Sequence, residues 1–154
     1  MRFALLLLFS LSASAVELSS GYFDGKLVMF TTQDLPGVDL QGFKHKLIKE
    51  AADSYMDMFA AAMREGVLLK LNYSYRDYNV QKALYRKMPR VAAVPGTSSH
   101  EIGLAIDLSN TPGAHKWMAA RGEDFGWWRP YPNEPWHFEF VGNLPELAYM
   151  RVGG

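Results

Sequence analysis

The chain has 154 residues, of which 16 are basic, 16 are acidic and 49% are hydrophobic. A chain of this length can bury one core and is too short to divide into two. No run of Lys or Arg is dense enough to hold phosphates, which argues against nucleic acid as a partner. The sequence contains no cysteine, which excludes disulfides and thiolate ligands, so any metal site must use His, Asp or Glu.

The amino-terminal segment has the pattern of a cleaved secretory signal. A short positive start is followed by an apolar run to Leu11, and Ala13 and Ala15 place small residues where a signal peptidase needs them. The apolar run is about half of the roughly 20 residues that cross a bilayer, so a permanent membrane helix is the weaker interpretation. We predict a signal peptide over residues 1–15 and a single domain over residues 16–154, with no stable membrane anchor.

One strong helical pattern dominates the first half of this domain. Residues 16–25 are polar and Ser-rich and are expected to form a mobile terminus, and residues 26–32 are expected to form an edge strand. Apolar residues recur at helical spacing over about residues 39–64, which predicts the main core helix, with Gly66 as its left-handed cap. One row of this helix consists of Phe43, Leu47, Ala51, Tyr55, Phe59 and Met63.

The second half of the chain alternates with period two in three places, which predicts three strands. These predicted strands cover residues 67–76, 103–108 and 136–141. Helices are predicted between them, and the remaining segments read as loops. The helices cover residues 80–87 and 112–121, and the loops cover residues 88–97 and 122–131. The pattern as a whole predicts an α+β domain.

Two histidines and an aspartate lie on or beside these strands, among small or polar residues. His100 precedes the second predicted strand, Asp107 lies near the end of that strand, and His137 lies on the third. Two imidazoles and a carboxylate match the ligands of a catalytic zinc ion, which keeps a fourth position for water. Burying Asp107 beside His137 without a cation would leave an unpaired carboxylate. The helical metalloprotease motif is excluded, because it requires a second His at the position of Leu104.

The sequence also contains candidates for a general base and for an oxyanion-stabilising group. Glu134, three residues before His137, is the candidate base that deprotonates the water, and Glu139 is either its rival or a partner of a ligand. Arg76 is placed to stabilise the oxyanion formed when water attacks a carbonyl. The alternative for Arg76 is a surface arginine paired with Asp77.

Other histidines and aromatic residues have ordinary structural interpretations. His45 and His115 lie on predicted helix surfaces without carboxylate partners in the pattern, so we interpret them as hydrogen-bonded structural histidines. Aromatic residues at this density mainly fill a core, and glycan stacking by Trp128 or Tyr131 is the alternative. The aromatic cluster consists of Trp127, Trp128, Tyr131 and Trp136.

Three motifs in order along the chain carry a resemblance to a known family. Residues 74–78 read Ser-Tyr-Arg-Asp-Tyr, with Gln81 shortly after them. Residues 98–107 read Ser-Ser-His-Glu-Ile-Gly-Leu-Ala-Ile-Asp, and residues 134–140 read Glu-Pro-Trp-His-Phe-Glu-Phe. The set resembles the VanY-type zinc D-alanyl-D-alanine carboxypeptidases, which are related to lysostaphin-like peptidases and to the hedgehog signalling domain. The resemblance covers roughly residues 66–142.

The resemblance assigns a role to each matching position. It implies zinc ligands at His100, Asp107 and His137, a catalytic base at Glu134, an arginine that steadies the scissile carbonyl at Arg76, and substrate-pocket positions at Ser98 and Gln81. It also implies a small antiparallel sheet backed by helices, with the zinc site on the open face of the sheet. The chain departs from the family at Asp77, where a Ser is common, and in a short connection over residues 87–95 that opens the cleft.

The implied function is a zinc-dependent carboxypeptidase that removes terminal D-Ala from peptidoglycan stem peptides. Two alternatives act on the same polymer, namely an L,D-carboxypeptidase and a lytic endopeptidase. A third alternative is a zinc-bearing binding module without catalysis, against which the presence of Glu134 and Arg76 argues. We expect an exported monomer, periplasmic or secreted, that uses Zn²⁺ as its cofactor and stem peptides as its substrate.

Overall fold

The computed structural model describes residues 16–23, 25–35, 43–144 and 150–151. The predicted signal peptide lies outside these ranges. The described residues form three α-helices and two small antiparallel sheets, which confirms the predicted α+β class. No helix within the described part of the chain is both long enough and apolar enough to span a bilayer.

The elements follow one another in a mixed order. The strands are β1 (Val16–Phe23), β2 (Lys26–Asp34), β3 (Lys46–Ile48), β4 (Leu71–Tyr73), β5 (Ala105–Leu108), β6 (Trp127–Trp128), β7 (His137–Phe140) and β8 (Met150–Arg151). The α-helices are α1 (Lys49–Arg64), α2 (Tyr78–Lys87) and α3 (Ala114–Arg121). Two 3₁₀ helices cover Ser99–Ile102, here called the His100 turn, and Gly122–Phe125.

The first sheet is built around β2, which pairs with β1 and also with β3 and β8. The prediction of a mobile terminus over residues 16–25 is therefore wrong. The strand predicted over residues 26–32 is present as β2, but it lies inside the sheet and not at its edge. The polar residues of β1 are the reason for both differences, because a strand is held by its backbone ladder and polar side chains can pair across it. Ser19 and Thr32 show this pairing, since their hydroxyl oxygens lie 2.8 Å apart and are buried.

The second sheet has the strand order β4-β5-β7-β6, and every pair in it is antiparallel. The strands predicted over residues 103–108 and 136–141 correspond to β5 and β7. The strand predicted over residues 67–76 shortens to β4, because only this part pairs with β5. The aromatic loop predicted over residues 122–131 contains a 3₁₀ helix and the two-residue strand β6.

Helix α1 begins ten residues later than the sequence predicted. Residues 39–42 lie outside the described ranges, and β3 occupies the segment immediately before the helix. Leu47 and Ile48 belong to that strand and are fully buried, so their apolar character fits a helix row and a strand equally well. The end of the helix is as predicted, because Gly66 has a φ of +77°.

The apolar face of α1 contacts both sheets. Its buried residues are Ala51, Ala52, Tyr55, Met58, Ala61 and Ala62. The helix contacts β2 and β3 of the first sheet, and the Tyr55 ring meets the Trp127 indole of the second sheet edge-on at 6.2 Å. The predicted helices over residues 80–87 and 112–121 correspond to α2 and α3. These contacts join the helix and both sheets around one core.

Candidate metal centre

The pairing of β5 with β7 places two of the predicted ligands side by side. Asp107 lies directly opposite His137 in the antiparallel register, and Ile106 lies opposite Phe138. Side chains alternate between the faces of a strand, so Ile106 and Phe138 point into the core while Asp107 and His137 share the other face. The Oδ1 atom of Asp107 lies 2.9 Å from Nδ1 of His137.

The His100 turn brings the third predicted ligand to the same place. Ser98 caps the turn, and Glu101 completes a capping box by accepting a hydrogen bond from the Ser98 backbone. Gly103 ends the turn in the left-handed conformation, with a φ of +67°. Nε2 of His100 consequently lies 3.4 Å from Oδ2 of Asp107. The structure thus gathers one ligand atom from each of the three residues within 4.8 Å of one another.

Hydrogen bonds on the far side of each imidazole decide which nitrogen faces Asp107. Nδ1 of His100 donates to the backbone carbonyl of Ser74 at 2.7 Å, and Nε2 of His137 donates to Oε1 of Glu139 at 3.2 Å. An imidazole that binds a metal does so through the lone pair of one ring nitrogen, and the N–H of the other nitrogen donates to a nearby acceptor. His100 therefore offers Nε2 to a cation, and His137 offers Nδ1.

The electrostatics of the cluster favour a positive charge at its centre. Burial alone would raise the pKa of Asp107, but hydrogen bonds from His100 and His137 hold the pKa of this carboxyl well below its ordinary value. Burial acts to lower the pKa of His137, yet its hydrogen bonds to Asp107 and Glu139 raise that pKa to about 9. The carboxylates of Asp107 and Glu139 thus favour positive charge at this imidazole, which a bound cation would supply in place of the proton.

The donor set fits a zinc ion. Two imidazole nitrogens and one carboxylate oxygen form a three-ligand set of the kind found in catalytic zinc sites. Both imidazoles already have the outer hydrogen bonds that orient ligand histidines, from Ser74 and Glu139. The cluster is largely buried, with the Asp107 side chain 14% exposed. It therefore forms a candidate metal centre with room for a solvent or substrate ligand from the adjoining cavity.

Arg76 lies beside the candidate metal centre and is not a surface arginine. Its side chain is only 10% exposed, and Nη2 lies 3.7 Å from Oδ2 of Asp107. The guanidinium also stacks over the Tyr73 ring at 5.2 Å. Asp77 instead caps α2 by accepting a hydrogen bond from the Val80 backbone at 2.9 Å. The alternative of an exposed Arg76–Asp77 pair is therefore wrong.

Glu134 and Glu139 occupy different positions around His137. Glu134 lies in the turn before β7, where its carbonyl accepts a hydrogen bond from the His137 backbone at 3.2 Å. It is half-buried and lines the cavity beside the cluster. Glu139 is bound to the imidazole of His137, which lowers the pKa of its carboxyl. Glu139 thus occupies the position of a ligand partner, and Glu134 has its carboxylate available to the cavity.

A cavity of about 440 Å³ opens directly on the cluster. Gln81 and Ser98, which the resemblance assigned to a substrate pocket, both line this cavity. The Nε2 atom of Gln81 donates to the Ala93 carbonyl at 2.8 Å, while its buried Oε1 has no partner among the described residues. One wall of the cavity is apolar and consists of Leu84, Met88, Val91, Ala92 and Ala93.

The structure adds residues to this site that sequence reasoning missed. Ser74 holds His100 through a backbone carbonyl, which no side-chain pattern reveals. Tyr73 pairs with Asp107 across β4 and β5, and Tyr131 packs on the His137 ring at 5.6 Å. Trp136 also lines the cavity, whereas Trp127 is buried in the core.

The other two histidines lie apart from the cluster. His45 is not on a helix surface as predicted, because it is buried in the segment before β3 and its Nδ1 lies 3.1 Å from the Ser74 hydroxyl. His115 lies on α3 and is half-buried. The prediction that neither belongs to the three-residue cluster agrees with these positions.

Comparison with known proteins identifies the family. The sequence model of the VanY family, described as D-alanyl-D-alanine carboxypeptidase, matches residues 44–143. The chain belongs to the VanY D-alanyl-D-alanine carboxypeptidase family. The matched range contains all four β-strands of the second sheet and every residue of the candidate metal centre.

Two curated relatives support this membership of the VanY family. YodJ of Bacillus subtilis is 32% identical over 130 residues, which cover 64% of this chain and 48% of YodJ. A D-alanyl-D-alanine carboxypeptidase of Enterococcus faecium is 31% identical over 121 residues, covering 67% of this chain and 40% of that protein. The chain thus spans less than half the length of these relatives.

Two solved structures share the VanY-family architecture with this chain. One is a Zn(II) complex of a mutant VanY D,D-pentapeptidase from a VanB-type vancomycin-resistance cassette. It is 27% identical with a TM-score of 0.56, over 68% of this chain and 77% of that one. The other is the LdcB LD-carboxypeptidase, 29% identical with a TM-score of 0.61, over 70% of this chain and 67% of that one.

Proposed function

We propose that this VanY-family chain is a zinc-dependent D,D-carboxypeptidase that removes the terminal D-Ala from peptidoglycan stem peptides. The observation that carries the proposal is the convergence of His100, Asp107 and His137 at the base of a cavity that also contains Glu134 and Arg76. The VanY relative was solved with Zn(II), and a related VanYB structure contains D-alanine-D-alanine. Both findings support the metal and the substrate class.

The proposed metal ligands are Nε2 of His100, the carboxylate of Asp107 and Nδ1 of His137. When bound, a zinc ion supplies Lewis acidity, which polarises a carbonyl and lowers the pKa of a water toward about 7. The Ser74 carbonyl and the Glu139 carboxylate hold the two imidazoles in the required tautomers. Side chains of the protein must then transfer one proton and stabilise one developing negative charge.

Glu134 is the proposed proton carrier. Its carboxylate takes a proton from the attacking water and later delivers it to the nitrogen of the leaving D-Ala. Its position in the turn directly before β7 keeps it next to His137, while Glu139 is already bound to that imidazole. Glu134 is therefore the stronger candidate for the base, and Glu139 for a partner of the ligand.

Arg76 is the proposed donor to the oxygen that becomes negative during attack. Its guanidinium is held in place by Asp107 and Tyr73, so little reorganisation is needed when charge develops. Its buried Nε has no partner among the described residues, which leaves donor capacity on the guanidinium. Gln81 and Ser98 are proposed to contact the substrate from the cavity wall.

A second candidate function is an L,D-carboxypeptidase, which removes D-Ala from a tetrapeptide stem. The likeness to LdcB supports it, because that structure has a TM-score of 0.61 against 0.56 for VanY. The apolar wall of the cavity suits the methyl group of a terminal D-Ala in both cases. Endopeptidase cleavage and a catalytically silent zinc module remain alternatives that the same experiment separates.

The deciding experiment incubates the zinc-loaded protein with tri-, tetra- and pentapeptide stems and with cross-linked stem dimers, and identifies the products by mass spectrometry. Loss of one D-Ala from the pentapeptide alone supports the D,D-carboxypeptidase. Loss of D-Ala from the tetrapeptide supports the L,D-carboxypeptidase, and cleavage of cross-linked dimers supports the endopeptidase. If the protein binds zinc but cleaves none of these substrates, the proposed catalysis is overturned. The non-catalytic zinc-binding module is then the function that agrees with the result.

The cellular location follows from the same proposal. A peptidoglycan substrate lies outside the cytoplasmic membrane, so we propose that the chain is exported with residues 1–15 as its signal peptide. We further propose that it acts as a monomer. Amino-terminal sequencing of the protein recovered from outside the cytoplasm should begin near Val16.

A further inference from the structure

The His100 turn is held by several segments that lie within the family-matched range. The backbone N–H of Arg76 donates to the His100 carbonyl at 3.0 Å, and the N–H of Ile48 donates to the Gly103 carbonyl at 3.1 Å. The Glu101 carboxylate accepts hydrogen bonds from the Gly96 and Ser98 backbones, at 2.9 and 3.2 Å. These contacts fix the turn at both of its ends.

The middle of the turn is covered by β1, which lies outside residues 44–143. Gly21 is the point of closest approach. A Cβ atom at this position would lie 1.9 Å from the Glu101 carbonyl oxygen and 2.8 Å from its carbon. Gly21 is buried, and its backbone lies outside the left-handed region, so glycine is required here for space.

The residues on either side of Gly21 contact other segments of the site. The Ser20 carbonyl accepts a hydrogen bond from the Tyr75 hydroxyl at 2.7 Å, directly before Arg76 in the chain. The Tyr22 ring lies 5.0 Å from the Tyr78 ring at the start of α2. Tyr22 also packs on the segment of Gly96, where an added Cβ would lie 3.8 Å from it.

From these contacts we infer that residues 20–22 of β1 position the His100 turn for metal binding, and that Gly21 is the positioning residue. The inference rests on the metal site of the proposed function. An Ala at position 21 must separate the Glu101 carbonyl from β1 by about an ångström or more to restore an ordinary contact distance. Because Glu101 follows His100 directly, we expect part of this displacement to change the position of the imidazole relative to Asp107 and His137. Disturbing the support of a ligand typically lowers metal affinity by about 10–100-fold.

The test compares Gly21→Ala with a matched variant in the same hairpin. Thr32→Val removes the buried hydroxyl that contacts Ser19 and the Glu17 carbonyl, at 2.8 and 3.2 Å, without touching the His100 turn. For each protein, zinc affinity is measured by competition with a chelator, and the visible absorption spectrum is recorded with Co²⁺ in place of zinc. Thermal unfolding of the metal-free proteins reports the general loss of stability.

We expect Gly21→Ala to lower zinc affinity by about 10–100-fold and to change the cobalt spectrum. Thr32→Val should lower the unfolding temperature while leaving both metal readouts unchanged. Wild-type affinity and spectrum in Gly21→Ala would overturn the inference, as would an equal loss of affinity in Thr32→Val. If Gly21→Ala does not fold, Tyr75→Phe replaces it, because this variant removes only the hydroxyl that donates to Ser20. An unchanged affinity in Tyr75→Phe would then count against the inference.

The experiment also separates this inference from the proposed function. If the wild type binds no zinc and gives no cobalt spectrum, the proposed metal site and the positioning role of β1 both fail. If the wild type binds zinc and the variants bind it equally well, only the positioning role fails. Stem-peptide hydrolysis is measured separately and does not enter either comparison.

Discussion

Asp107 is the residue on which the electrostatics of the candidate metal centre depend. Its carboxylate contacts His100, His137 and Arg76 at 3.4, 2.9 and 3.7 Å. Three positive or polarisable partners around one buried anion keep that carboxylate ionised. The same anion draws the guanidinium of Arg76 into the cavity wall, so a single aspartate links the proposed ligands to the proposed oxyanion donor.

Replacing Glu134 by Gln should separate proton transfer from metal binding. The amide cannot accept a proton, so we expect kcat on the stem peptide to fall by about 10²–10⁴-fold. Zinc content, measured by elemental analysis after dialysis, should stay at the wild-type level. Wild-type turnover in Glu134→Gln would show that another group is the base, and Glu139 would be the next variant to test.

Replacing Arg76 by Lys should show whether a positive charge alone is sufficient. A lysine keeps the charge and lacks the planar fork that stacks over Tyr73 and reaches Asp107. We expect kcat/KM to fall by about 10²–10³-fold, as for loss of an oxyanion donor. Steady-state kinetics at saturating zinc measure this change. An activity within threefold of wild type would contradict the proposed role of Arg76.

At the scale of the elements, the strand register does most to assemble the site. The β5–β7 pairing places Asp107 opposite His137, and a shift of either strand by one residue would turn its own ligand side chain toward the core. The buried pair Ile106 and Phe138 opposes such a shift, because it would expose the member of the pair that lies on the shifted strand. Hydrophobic burial on one face of the sheet thus holds polar ligands in register on the other.

The amino-terminal cap of α2 is a second element-scale feature that can be tested. Asp77 accepts a hydrogen bond from the Val80 backbone, and the helix that it caps carries Gln81 into the cavity. Asp77→Ala should destabilise the protein by about 1 kcal/mol, the typical cost of losing a helix cap. Thermal unfolding should show a decrease of roughly 2–4 °C.

Asp77→Ser is the matched control for this cap, because serine is also a good capping residue. Ser is common at this position in the family, so the control also tests whether the departure noted in the sequence matters. Its unfolding temperature should stay close to that of the wild type. Equal losses in the Ala and Ser variants would show that the carboxylate of Asp77 acts in some other way.

At the scale of the whole molecule, one core joins the elements that carry the ligands. Tyr55 of α1 is fully buried, donates to the Leu69 carbonyl at 3.3 Å and meets Trp127 of the second sheet. The first sheet and the second sheet therefore both contact the buried face of the same helix. Metal binding at the second sheet should be coupled to global unfolding, because the ligands come from β5, β7 and the His100 turn.

Zinc removal should consequently lower the unfolding temperature. A ligand that binds only the folded state stabilises it by about 2.7 kcal/mol at a free concentration 100-fold above its Kd. We expect a chelator to lower the wild-type unfolding temperature measured by calorimetry. His137→Ala should unfold at the same temperature with and without the chelator. A chelator effect of equal size in His137→Ala would place the stabilising metal elsewhere.

The three residues of the candidate metal centre were predictable from the sequence, because they depend on residue types and motif order. The chain alone identified His100, Asp107 and His137 as one set, with Glu134 beside them. It did not reveal that the Ser74 carbonyl holds His100 or that Gly21 lies against Glu101. A backbone carbonyl and a close backbone approach produce no pattern of side chains in a sequence.

Element types near the motifs were also predictable, while β1, β3 and the start of α1 were not. The β5 and β7 strands and helices α2 and α3 follow local periodicity, which is a property of the sequence itself. β1 and β3 are short or polar, and they are strands only because β2 pairs with them.

The sequence by itself determined which side chains are available for metal chemistry and which segments alternate. Only the tertiary structure decided that β1 covers the His100 turn and that Arg76 turns inward to Asp107. The physical reason is that the spacing of apolar residues shows only which face of a single helix or strand is buried. Contacts between segments distant in the chain depend on burial and pairing, which are defined only once the whole domain has folded.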